Sequence, residues 1–187
     1  MNQRTVVRSL TTSDGTVLGM NDGTITWSPR QGRPTRTSLD ALPTVLLGLR
    51  GPMGPMDSVV VGTAEGQVTV LSLPRLEVVT TFQLASGGIR ALSLIGEGQL
   101  RFLAGTQHGT VWQLDDASTN RATPLFNIEG PVSSLQLDGK LIHVRSGWMH
   151  HVHTWDGVVQ TTRNTAQGYR APRYKRLNRS YVVEPLA

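Results

Sequence analysis

An echo of 43 residues constrains this chain more than any other feature. Three segments superimpose without gaps: Asn21-Asp22-Gly23-Thr24-Ile25-Thr26-Trp27-Ser28, Ala64-Glu65-Gly66-Gln67-Val68-Thr69-Val70-Leu71 and Gln107-His108-Gly109-Thr110-Val111-Trp112-Gln113-Leu114. Their glycines lie 43 residues apart each time, and a second glycine precedes each by four, at Gly19, Gly62 and Gly105. A weaker fourth copy ends Val152-His153-Thr154-Trp155-Asp156 and sets Trp155 against Leu114, 41 residues on. A fixed period of this length marks a repeat architecture, in which each unit buries its apolar face against its neighbours.

Each copy reads as four short strands. A first apolar strand spans 6–10, 45–49, 89–95 and 132–137, and a turn follows at Asp14-Gly15, at 51–55, at Gly96-Glu97-Gly98 and at Asp138-Gly139. A second strand spans 17–20, 58–62, 100–104 and 141–144, and the glycine turn leads into the third. A polar fourth strand is clearest at 77–84 and 122–128. No helical periodicity competes over this stretch. The expected fold class is all-β: four four-stranded blades over residues 1–162, at about 5–40, 43–85, 88–128 and 131–162, followed by a basic C-terminal tail at 163–187. An ordinary β-sandwich also places turns every 8–12 residues, but it does not explain a gap-free echo.

The period, the Asp22-Gly23-Thr24-Ile25 and His108-Gly109-Thr110-Val111 turns, Leu114-Asp115 and the literal Trp155-Asp156 resemble WD40-type β-propeller repeats over about residues 5–162. The copies are divergent. None opens with Gly-His, and the turn Asp is Glu65 in the second copy and His108 in the third. The likeness implies rigid blades that present loops to protein partners. Four blades are fewer than such repeats usually need to close a ring. An open arc would expose the apolar flanks of its first and last blades, so a homodimer or a hetero-complex completing the ring is expected.

Charge is divided unevenly. Residues 1–160 hold twelve Lys/Arg and twelve Asp/Glu, whereas residues 161–187 hold six basic residues and one acid. The whole net charge of +5 therefore sits at the C-terminal end. There Tyr169, Arg170, Arg173, Tyr174, Lys175, Arg176, Arg179 and Tyr181 mix cations with aromatic rings. Such a mixture suits an acidic protein surface, with Tyr and Arg as anchors. It also suits nucleic acid, through phosphate contacts and base stacking, and a passive solvated tail is the third reading. Pro172 disfavours helix before Arg173, so an extended segment is expected. A second basic stretch, Pro29 to Arg36, carries Arg30, Arg33 and Arg36 in what reads as an exposed loop.

Several chemistries are not expected. The chain has no Cys, which removes disulfides, thiolate metal sites and Cys nucleophiles. No Gly-x-Ser-x-Gly elbow or phosphate loop is present, so no catalytic residues and no cofactor are assigned. The acids mostly occupy turns, where they bond nearby backbone. His143, His151 and His153 are the candidates for a metal, if His143 reaches the face that His151 and His153 share. No apolar run approaches the length of a spanning helix, and Met1-Asn2-Gln3-Arg4-Thr5 has no apolar stretch behind it. No membrane partner is expected, and the expected location is cytoplasmic. The leading expectation is a non-catalytic scaffold subunit for protein partners. A nucleic-acid accessory factor and a small metal protein or enzyme are the competing classes.

Overall fold

The computed structural model describes residues 3–50, 56–96, 101–115 and 121–165, and the backbone of 174–177 and 180–183. Four antiparallel sheets follow one another, each a meander of four strands in chain order. Blade one holds β1 (Val6–Thr11), β2 (Gly15–Met20), β3 (Thr24–Pro29) and β4 (Thr35–Ser38). Blade two holds β5 (Pro43–Arg50), β6 (Met56–Thr63), β7 (Gln67–Ser72) and β8 (Glu77–Gln83). Blade three holds β9 (Ile89–Leu94), β10 (Arg101–Thr106), β11 (Thr110–Asp115) and β12 (Arg121–Asn127). Blade four holds β13 (Ser134–Asp138), β14 (Leu141–Ser146), β15 (Met149–Thr154) and β16 (Val159–Asn164). No helix occurs among the described residues, and none is long and apolar enough to cross a membrane.

The echo has two structural causes. Gly23, Gly66 and Gly109 all take φ between +83° and +87° in the turn before the third strand. There a β-carbon would stand 2.1 Å from the Leu39 carbonyl oxygen, 2.8 Å from that of Leu84 and 2.1 Å from that of Ile128. The same glycine carbonyls accept the N–H of Leu39, Leu84 and Ile128, which fixes the end of each fourth strand. The second glycine of each copy has a different reason. A β-carbon on Gly19 would meet Pro43 at 2.9 Å, one on Gly62 would meet Ile89 at 2.6 Å, and one on Gly105 would meet Val132 at 2.3 Å. The first apolar residue of each following blade thus sits against a bare glycine of the blade before it. Close backbone approach, not turn geometry, requires Gly there.

Three apolar cores fill three junctions. Val17, Ile25 and Trp27 of blade one pack on Val59, Val61 and Leu71 of blade two. Val60, Val68, Val70 and Phe82 of blade two pack on Phe102, Ala104 and Leu114 of blade three. Leu103 and Val111 of blade three pack on Ile142 and Val144 of blade four. The central strands of blades two and three are therefore covered on both faces and read as apolar runs. Each innermost strand (β1, β5, β9) lies against the next, and no comparable contact joins β13 to β1 among the described residues. The blades form an arc with two flanks.

The flanks differ from the expected apolar surfaces. Pairing makes Thr16–Ser28 of blade one equivalent to Val59–Leu71 and Phe102–Leu114. Those last four residues are fully buried in a junction. On blade one the same face carries Ser9, Thr11, Thr26 and Arg36 beside Leu18. Terminal repeats with a polar outer face are how stacked repeats end in water.

The fourth copy also needs a correction. Ile142 pairs with His153, as Phe102 pairs with Leu114, so His153 and not Trp155 is the equivalent of Leu114. Arg145–His150 encloses one residue fewer than Gly105–Val111, which shifts the register of the copy. Trp155 and Asp156 lie in the turn after β15. Blade four runs on to Asn164, so Arg163 belongs to a strand of the blade and not to the tail.

Candidate partner-binding surfaces

The tail residues divide between described and undescribed positions. Tyr174, Lys175 and Arg176 lie on β17 (Tyr174–Leu177), and Tyr181 lies on β18 (Ser180–Val183). The two strands pair with each other, Arg176 opposite Tyr181, as a separate two-stranded sheet and not as an edge added to a blade. The expected extended segment at Pro172 lies outside the described residues. Tyr169, Arg170, Arg173 and Arg179 lie outside the described residues.

The arginines of the first blade part company. Arg30 and Arg33 are exposed in the connection between β3 and β4. Arg36 is not in that loop. It pairs with Thr26 inside β4, exposed on the flank face of blade one. The run Thr35-Arg36-Thr37-Ser38 contains no apolar residue, so nothing in its pattern separated strand from loop.

The histidines are split between two faces. His151 and His153 share the face that meets blade three, together with Ile142 and Val144. His153 is buried, stacks on Phe126 at 3.9 Å between ring centroids and 4° between planes, and sets Nδ1 3.3 Å from the Gly157 carbonyl oxygen. His151 Nδ1 lies 3.2 Å from the Thr162 hydroxyl. His143 pairs with Val152 and so stands on the opposite face, with its Nδ1 3.3 Å from His150 Nε2. The expected meeting of His143 with His151 and His153 does not occur, because directly paired residues share a face and His143 is paired with the residue between them. No group of three or more His, Cys, Asp or Glu is placed to hold a metal among the described residues. Burial lowers the proton affinity of His153, and its neighbour His151 adds to this against the Gly157 hydrogen bond. Burial also lowers that of His150, followed by the positive charge of His143, Arg145 and Arg163.

No family model matches the chain, and no curated protein matches it. Solved structures do. The computationally designed Ika4 protein superimposes with a TM-score of 0.62 at 18% identity, over 88% of this chain and 93% of that one. The computationally designed Ika8 protein gives a TM-score of 0.62 at 18% identity, over 86% of this chain and 48% of that one. A chain from the Mitotic Checkpoint Complex gives a TM-score of 0.71 at 15% identity, over 89% of this chain and 55% of that one. The fold is propeller-like. This chain spans about half the length of the latter two.

One group of residues escaped the sequence reading. Arg145, His150 and Arg163 stand directly opposite one another on β14, β15 and β16, in a single row across the flank face of blade four. None of them has an ion pair among the described residues. Among the described residues the one acid on that face by register is Asp138, at the other end of β13, about 13 Å from the row at ordinary strand rise. Trp148 stands at the hairpin tip beside the row and is 71% exposed. No spacing in the sequence marks the row: Gly147 lies 42 residues on from Gly105, and Arg145 becomes its equivalent only through strand pairing.

Proposed function

We propose that this chain is a non-catalytic scaffold subunit whose blades hold basic surfaces in place for protein partners. The observation that carries this reading is the division of labour in the chain. The buried apolar residues fill three blade junctions, and Arg30, Arg33, Arg36, Arg145 and Arg163 are exposed outside them. A rigid body with exposed Arg and Trp is equipped for recognition, since such residues concentrate binding energy at interfaces. The likeness to a chain of the Mitotic Checkpoint Complex, an assembly by its own description, supports the same reading. The partner's surface is acidic, because the positive charge of the chain is concentrated and the remainder is balanced. Among the described residues no nucleophile, base and oxyanion donor are brought together, which supports the non-catalytic part of this reading.

Nucleic acid is the second reading, favoured by the mixture of Arg, Lys and Tyr at 169–181. A purification of the full chain from its native cells, followed by native mass spectrometry, tests the two. Co-purified protein that is lost when residues 168–187 are deleted or salt is raised supports the scaffold. Co-purified nucleic acid with a steep salt dependence supports the second reading. Among the described residues β17 and β18 pair with each other and with no blade, so the deletion should leave the blades folded.

A further inference from the structure

The flank of blade four occupies the place where a next blade would dock, and its chemistry is wrong for one. Gly19–Ile25, Gly62–Val68 and Gly105–Val111 are equivalent pairs, and the fourth pair is Arg145–His150. The first three glycines receive Pro43, Ile89 and Val132, at distances that leave no room for even a β-carbon. Arg145 closes that opening. The neighbouring pair shows the same change: Val17–Trp27, Val60–Val70 and Leu103–Gln113 become His143–Val152. The residue that would enter from a second copy is Val6, which pairs with Met20 as Ile89 pairs with Thr106 and is half-exposed. In the blade-to-blade geometry of this chain, Val6 of a second copy would stand against Arg145 where the other blades offer a glycine. Ring completion by this flank would require the Arg145 side chain to move aside.

What remains is a row of two arginines on either side of His150, with no ion-pair partner among the described residues. Burial and the positive charge of its neighbours hold His150 below its ordinary proton affinity, which leaves Arg145 and Arg163 as the cations of the row. An anion set against the row supplies the counter-charge that both arginines lack, and the exposed ring of Trp148 offers an apolar anchor beside it. Two arginines with one aromatic make a short patch on a body that is otherwise neutral. That fits a carboxylate-rich peptide better than a polyphosphate, which selects an extended basic face.

We propose that the row Arg145–His150–Arg163, with Trp148 at its tip, docks an acidic segment of a partner protein. This rests on the scaffold reading and locates its contact on blade four. The test uses the full chain and a fluorescein-labelled peptide of Asp, Glu and one Phe, read by anisotropy, with an oligothymidylate as the competing probe. The double variant Arg145→Gln/Arg163→Gln should weaken peptide binding about tenfold, since each exposed pair contributes up to about a factor of five. Trp148→Ser should weaken it at unchanged salt dependence, and Arg170→Gln/Lys175→Gln in the tail should leave most of it. Far-UV circular dichroism checks that each variant keeps its strands. Unchanged peptide affinity in the blade-four variant, with loss in the tail variant, overturns this location while sparing the scaffold reading. Preferential loss of oligothymidylate binding in the blade-four variant assigns the row to nucleic acid and overturns it too. Absence of peptide binding by every form overturns both. A stable wild-type dimer cross-linked between positions 6 and 145 would show that the flank accepts a blade after all.

Discussion

His153 lies face to face on Phe126, with ring planes 4° apart, where the preceding blades bury Leu114 and Leu71. Its Nε2 is buried without a hydrogen-bond partner. Burial holds its proton affinity below the ordinary 6.5, so the ring is neutral in the folded chain at neutral pH. An imidazole depressed in the folded state binds its proton more readily when unfolded. Its contribution is therefore complete above pH 6.5 and is lost as pH falls toward the folded value. His150 is shifted in the same direction. Urea unfolding at pH 7.5 and pH 5.5 should show lower stability at the acid value. His153→Leu should be more stable by about 1 kcal/mol at neutral pH and should lose less on acidification. Equal pH dependence in the two proteins would show that His153 does not carry it.

Gly105→Ala should destabilise by about 1–3 kcal/mol, because the new methyl group would stand 2.3 Å from Val132 in a close-packed junction. Gly96→Ala makes a useful control, since a β-carbon there meets no atom within 4 Å and only its φ of +76° opposes it. Thermal unfolding followed by circular dichroism ranks the two. A Gly105 variant as stable as the wild type would mean that neighbouring blades do not approach at this point.

Phe102 is fully buried and meets Phe82 edge-on, at 5.9 Å and 87°, across the junction of blades two and three. Phe102→Ala should cost about 3–5 kcal/mol. Denaturation should reveal the loss as a lower midpoint. A cost below about 1 kcal/mol would place the ring outside the core.

Thr16 and Ser28 keep the flank of blade one polar. Thr16→Val/Ser28→Leu restores the Val59–Leu71 pattern there. The double variant should self-associate as concentration rises, which sedimentation velocity reads directly. Identical sedimentation to the wild type would mean that this face is already covered.

The blades were legible because their glycines obey short-range rules. A turn with positive φ and a strand crossed at close range each exclude side chains, and both leave a mark at a fixed spacing. Arg36 was illegible as a strand residue, because β4 is an edge with no apolar side chain. The fourth copy was misaligned because a hairpin one residue shorter moved the register, and Trp155-Asp156 invited a match two residues late. The row of Arg145, His150 and Arg163 spans three strands. Its members are distant in the chain and become neighbours only through pairing.

By itself, then, the sequence determined the all-β class, the number of blades and the neutrality of the body, because repeat spacing and composition need no partner to be read. The tertiary structure decided which faces are junctions and which are flanks. Burial on one side of a strand depends on what the next sheet brings to it, and strand alternation alone does not say which side that is. His143 and His151 show the difference. They stand on adjacent strands and lie on opposite faces, one toward the flank and the other toward blade three.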